Sequence, residues 1–183
     1  MTAHSAVVVE SFCKLCDWTF QVWLNDREFF DENPRSAELQ NSIAADALAR
    51  LRTISQEYTL LQIAKLHDPA VVGGQVTLGI EYILKYGAWE ERRLKRLTKL
   101  VETLNAFSQE LRTVRNKSLA HNDLAAILSN QPLGMFPKGD DVRYFETLQE
   151  FVNEVHEGTI GGPWPFDDLV KNDVAHLLAI MKP

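Results

Sequence analysis

Arg115 and His121 stand six residues apart in the run Arg115-Asn116-Lys117-Ser118-Leu119-Ala120-His121-Asn122-Asp123. A permanent cation and a titratable imidazole at that spacing suit phosphodiester cleavage. A guanidinium holds a phosphate bidentately and stabilises the charge added in the transition state. An imidazole with an ordinary pKa of about 6.5 exchanges protons near neutrality. That chemistry requires neither a metal nor a cofactor, and none is assigned. On a regular helix, at about 100° per residue, the two side chains are about 120° apart, a gap that the length of arginine closes. On the residues alone the commoner reading is structural: a histidine hydrogen-bonded within an apolar stripe, beside a solvated arginine.

The element that positions the pair is a long helix, expected from near Trp89 to about His121 and long enough for a kink or break. Leu97, Leu100, Leu104, Phe107, Leu111, Val114, Ser118 and His121 follow alternating steps of three and four, the spacing of a seam packed along a neighbouring helix. This places His121 on the inward seam. Residues 89 to 121 carry eight Lys and Arg against four Glu, a local charge of +4 in a chain whose net charge is −6. Arg92, Arg96, Lys99 and Arg112 are therefore phosphate-binding candidates, a phosphate-attracting ridge. The plainer reading of Arg92 to Lys99 is a solvated helix face.

The remaining elements are also helical. From Ser36, a candidate N-cap, Leu39, Ile43, Ala47, Leu51, Ile54, Tyr58 and Leu61 predict one amphipathic helix to near Leu66, stopped by Asp68-Pro69. Phe12, Leu15, Thr19, Val22 and Trp23 predict a first helix, and Leu78, Ile80, Ile83 and Leu84 a short one after Gly73-Gly74. Val142, Phe145, Leu148, Val152 and Val155 mark another, and Leu169, Val170, Val174, Leu177 and Met181 a last one beyond the loop Gly161-Gly162-Pro163-Trp164-Pro165. No strand-like alternation of useful length occurs. The expectation is an all-α, up-and-down bundle of about four main helices plus short extras, since each apolar stripe needs partners to cover it. A length of 183 residues with 45% hydrophobic and 24% charged residues suits a single domain over 1–183 and fits neither a disordered chain nor a membrane protein. Met1 to Glu10 has no Lys or Arg before Val7-Val8-Val9, so no secretory signal is read there and a cytoplasmic location is expected. The acidic balance argues against a protein that coats nucleic acid with its whole surface, though not against a locally basic site.

The string Leu111 to Asp123 resembles the HEPN superfamily, all-α domains with an Arg, four to six residues, His motif, many of them metal-independent ribonucleases. In detail it is similar to the abortive-infection AbiU-type branch, with its Arg-(Asp/Asn)-Lys-x-x-Ala-His-x-Asp core. Ile63-Ala64-Lys65-Leu66-His67-Asp68-Pro69 is similar to the Leu-x-Asp-Pro element that closes an earlier helix in that branch. The resemblance covers about residues 36–155. It implies a homodimer in which the motifs of two subunits meet at a cleft and cut single-stranded RNA to 2′,3′-cyclic phosphate and 5′-hydroxyl ends. Arg115 would bind the scissile phosphate and His121 would move the proton of the 2′-hydroxyl or of the leaving oxygen. Asn116 would orient the phosphate, Lys117 would add positive potential, and Asp123 would hold a nearby arginine or fix the imidazole tautomer. Asp68 is a supporting candidate whose structural reading, a turn former before proline, is equally good. A neutralising antitoxin protein is a partner that the resemblance allows. HEPN toxins silenced by adenylylation carry a tyrosine just after the histidine, commonly two residues on; Asp123 stands there, and the nearest later tyrosine is Tyr144.

Two rival classes share these stripes. A catalytically silent HEPN dimerisation or nucleotide-binding module would keep the fold without the chemistry. A DinB-like metal-dependent bundle would need about three converging histidines, from His67, His121, His156 and His176 with Asp68 or Asp123, but no two of those histidines form a helical i, i+3 or i, i+4 pair. Cys13 and Cys16, three apart on the first helix, read as core and flank residues with reduced thiols rather than as a redox pair. Trp164 and Phe166 read as an aromatic plug over the bundle end, with base stacking as the alternative.

Overall fold

The structure is a computed structural model, and it describes residues 5–41, 44–114 and 139–181. Helix α1 (Ala6–Asp26) begins at Ser5, whose hydroxyl accepts from the Val8 amide, the N-cap interaction that satisfies an otherwise orphaned donor. It runs into a π-helical turn, Arg27–Asp31. Then follow α2 (Ser36–Gln40), α3 (Ala45–Leu66), a hairpin of β1 (Val71–Val72) and β2 (Gln75–Val76), α4 (Ile80–Tyr86), α5 (Glu91–Val114), α6 (Asp140–Thr159) and α7 (Val170–Ile180).

Four long helices make the bundle. α1 packs on α3, α3 on α5, α5 on α6, and α6 returns to α1, closing a ring. The all-α expectation of four main helices plus short extras is met. Within the ring, Val9, Phe12, Cys13 and Cys16 of α1 meet Ile63 and Leu66 of α3, Leu97, Val101 and Leu104 of α5, and Tyr144 to Val155 of α6, with Ile80 and Ile83 of α4 capping the side. A second cluster joins Phe29, Leu48 and Val174, tying the π-turn and α7 to the first half of α3.

Several elements depart from the apolar pattern. The single helix expected from Ser36 to Leu66 is two, α2 and α3. The Asn41 amide bonds back three residues to Glu38 at 3.2 Å, the tightened turn that ends a helix at a residue whose side chain competes for backbone groups. The stripe read from Ala47 to Tyr58 faces solvent, and Leu48, Thr59, Ile63, Ala64 and Leu66 point inward instead. α3 carries apolar residues on two faces, and the chain period alone selects the more regular one. Leu15 is exposed on α1 while both cysteines are fully buried. On α7 only Val174 is buried, and Leu177 and the preceding Leu169 are exposed. Where no strand was expected, Val71↔Val76 and Val72↔Gln75 pair across Gly73 (φ 56°) and Gly74 (φ 82°); two consecutive left-handed residues make the tight turn that a two-residue hairpin needs. The long helix begins at Glu91 rather than Trp89, whose indole N–H instead donates to the Ile83 carbonyl at 3.1 Å.

Burial pushes the Cys13 thiol up to about 12 and Cys16 well above its ordinary value, so both stay protonated and unreactive. Asp26 is the costly buried group. It sits at the end of α1, 9% exposed, with Oδ1 unpartnered. Burial raises its pKa to about 6, opposed by a hydrogen bond from Ser55 and the charge of Arg52 and reinforced by Asp31. A carboxyl whose folded pKa lies above its unfolded value contributes stability below the unfolded pKa and loses it as pH rises through the folded one. Asp26→Asn is therefore expected to raise stability at pH 7.5 by about 2–3 kcal/mol, at about 1.36 kcal/mol per pKa unit, and the gain is expected to shrink to near zero by pH 4. Thermal melts of both proteins across that range check it, and a gain that grows toward acid would reverse the assignment.

Candidate functional site

The chain leaves α3 through the element Leu66-His67-Asp68-Pro69. The His67 and Asp68 amides bond back to Ala64 and Lys65, each at 3.2 Å, and Pro69, without an amide hydrogen, prevents another helical turn. Gly79 lets α4 start against this corner: a Cβ there would lie 2.8 Å from the Leu66 carbonyl oxygen. Asp68 is half-buried at the turn itself.

His67 is the joint of this corner. It is 5% exposed and its ring reaches two other helices. Nδ1 lies 3.1 Å from Asn105 Oδ1 and 3.1 Å from Ser108 Oγ on α5, and Nε2 lies 3.0 Å from the Tyr144 hydroxyl on α6. Asn105 presents a carbonyl oxygen, which can only accept, and the Ser108 hydroxyl already donates to the Asn105 carbonyl. Nδ1 therefore carries a hydrogen directed at Asn105 Oδ1, and Nε2 pairs with the Tyr144 hydroxyl. Tyr144 is fully buried, and burial raises its pKa well above the phenolic range, so it remains a donor. These contacts fix the end of α3, the second half of α5 and the start of α6 relative to one another.

α5 then runs to Val114, one residue short of Arg115. Arg112 belongs to its last turn. Arg115, Asn116, Lys117, His121 and Asp123 lie outside the described residues, as does the inward placement read for His121 and Ser118. What is described is the frame on either side: α5 leading in, α6 resuming at Asp140, and the Asp68 corner joined to both through His67. Of the sequence-derived supporting residues, Asp68 is thus placed beside a buried network that holds α5, the helix whose described part ends at Val114.

The basic ridge divides into two parts. Arg96 binds Glu154 of α6 at 2.9 Å and Arg93 reaches the same carboxylate at 3.5 Å, also donating to the Glu154 carbonyl. Glu154 is thus an anchor between α5 and α6. Arg92, Lys95 and Lys99 are exposed along α5, a strip of three cations at steps of three and four.

The seam of α5 is Leu97, Val101, Leu104 and Ser108, with Leu100 and Phe107 half-buried beside it. Reading the polar Ser108 as part of that seam is the signal that would have found the His67 network, since a buried hydroxyl demands a partner. Tyr144, the nearest tyrosine after His121, is inside that network and closed to modification. His156 donates from Nδ1 to the Gly162 carbonyl at 2.8 Å and packs on Trp164, while His176 is exposed on α7. Among the described residues no three His, Cys, Asp or Glu side chains converge as a metal set. The Gly/Pro loop is pinned from α6: Gln149 donates to the Trp164 carbonyl at 2.7 Å and accepts from the Phe166 amide at 2.7 Å, and Asn153 accepts from the Trp164 amide at 2.9 Å. Phe166 stacks on Phe20, ring centroids 5.0 Å apart, as an aromatic plug. Beside it opens a cleft of about 640 Å³ lined by Phe20, Trp23, Phe145, Phe166, Arg27 and Lys171 among others, which the sequence patterns did not reveal. Its Arg27 is already held by Glu32 at 2.9 Å and Asp141 at 3.7 Å.

The family model described as AbiU2 matches residues 8–178. The chain belongs to the HEPN superfamily, in its AbiU2 branch. No curated protein and no solved structure matches it. The AbiU2 match runs from α1 through α7, so it takes in both the bundle and residues 115–138. It suggests a role in abortive infection, a form of phage defence. No helix among the described residues is long and apolar enough to cross a membrane.

Proposed function

We propose that this AbiU2 protein is a metal-independent endoribonuclease that cuts single-stranded RNA as a homodimer, serving as a toxin or phage-defence effector. The observation that carries the reading is the AbiU2 match over residues 8–178 in a chain that has both Arg115 and His121. In this reading Arg115 holds the scissile phosphate through two hydrogen bonds and stabilises the pentacoordinate transition state. The ribose 2′-oxygen attacks phosphorus, the bond to the 5′ oxygen breaks, and His121 moves the proton of the attacking hydroxyl or of the departing oxygen. The products are a 2′,3′-cyclic phosphate and a 5′-hydroxyl. Asn116 orients the phosphate, Lys117 adds positive potential, Asp123 steadies an arginine or the imidazole, and Asp68 supports the site from the α3 corner. Arg92 and Lys99, exposed on α5, with Arg96 and Arg112 on the same helix, attract the RNA backbone. A neutralising antitoxin is a second protein partner.

The test is incubation of the purified protein with mixed-sequence single-stranded RNA in EDTA beside a His121→Ala control, with analysis of the product ends. Cyclic-phosphate ends made only by the wild type are the expected outcome. Absence of cleavage, or cleavage by both proteins, overturns the reading.

A further inference from the structure

α3 presents a row of large apolar side chains to solvent. Leu51, Ile54 and Tyr58 are 56%, 60% and 39% exposed, and with the exposed Ala47 they follow steps of four, three and four. That is heptad spacing, whose natural complement is the same spacing on another helix. Trp18 of α1, 50% exposed, extends the patch, its indole N–H donating to the Tyr58 hydroxyl at 3.3 Å. A contiguous group of this kind marks an interaction surface rather than scattered surface apolarity.

The charges beside the seam indicate what covers it. Arg50 and Glu57 are seven residues apart, hence on the same flank of the stripe, and among the described residues neither is in an ion pair. A two-fold axis across α3 between residues 53 and 54 sets two copies of the helix antiparallel and keeps each flank facing its own copy. Residue 50 of one copy then lies level with residue 57 of the other. Arg50 meets Glu57 twice, once on each side of the axis, and the N-terminal dipole end of each helix lies beside the C-terminal end of its mate. In a parallel pairing each flank faces the mate's other flank, so Arg50 would not meet Glu57.

We propose that this α3 seam is the surface on which two copies of the chain meet, antiparallel and about that axis. The proposal rests on the homodimer reading and names the surface it uses. The test is the dimer dissociation constant, by sedimentation, of Arg50→Glu, Glu57→Arg and the double variant, with far-UV CD to confirm folding. Each single change removes two attractive contacts and creates two repulsive ones, so each is expected to weaken the dimer roughly ten-fold or more, and the double variant is expected to restore it. Ile54→Cys, beside the axis, is expected to form an intersubunit disulfide on mild oxidation, and Val76→Cys on the hairpin is not; the native thiols are buried. A wild-type dimer indifferent to the charge changes, with no cross-link in the Ile54→Cys variant, overturns the proposal and leaves the homodimer standing. Singles that weaken without rescue by the double overturn the antiparallel arrangement. A wild type that is monomeric throughout overturns both.

Discussion

Replacing Arg115 or His121 by alanine is expected to lower RNA cleavage by roughly 10²- to 10⁴-fold, the effect of a lost acid–base or charge-stabilising group, while the helical CD signal is retained. The helical signal is expected to survive because side chains of α1, α3, α4, α5 and α6, all among the described residues, already form the buried cluster. Because the two residues act on one transition state, the double variant is expected to fall little further than either single one. Arg115→Lys should recover only part of the loss, since an ammonium supplies the charge without the two-pronged grip on phosphate. Single-turnover kinetics on one defined RNA distinguish these cases. Wild-type rates in both alanine variants would remove the pair from the chemistry.

The second large effect is structural. His67→Ala is expected to cost about 3–4 kcal/mol, because it vacates packed space and removes the buried hydrogen bonds that join three helices. Tyr144, fully buried, loses its bond to Nε2, and Ser108, 1% exposed, loses its contact with Nδ1 while still donating to the Asn105 carbonyl. Tyr144→Phe removes one hydrogen bond and keeps the ring packing, so a loss of about 1–2 kcal/mol is expected. Urea unfolding measures both, and a His67→Ala loss below the Tyr144→Phe loss would show that the histidine is not the joint.

How far the sequence led depended on how many faces each helix has. α6 was readable from Phe145, Leu148, Val152 and Val155 because a single stripe is apolar and all four are buried. α3 was misread because Leu51, Ile54 and Tyr58 form a better stripe than Leu48, Ile63 and Leu66, and periodicity reports regularity rather than direction. The break at Asn41 left the pattern of large side chains intact, which is why it went unseen. Type and spacing single out Arg115 and His121, which lie outside the described residues, whereas nothing local singles out the His67 joint. Its partners sit 38, 41 and 77 residues away, and only tertiary packing brings a histidine, a serine and a tyrosine from three helices to one point.

The amides of Gln149 and Asn153 bind main-chain atoms at Trp164 and Phe166. Side chains that grip backbone measure where the strand of the loop runs and are indifferent to which residues compose it. Substitution at Pro163 or Pro165 leaves those three hydrogen bonds in place, provided the new residue keeps the extended path, whereas insertion of one residue between 164 and 166 puts the Gln149 pair out of step. In this corner of the molecule evolution is free to change the letters and constrained to preserve their number.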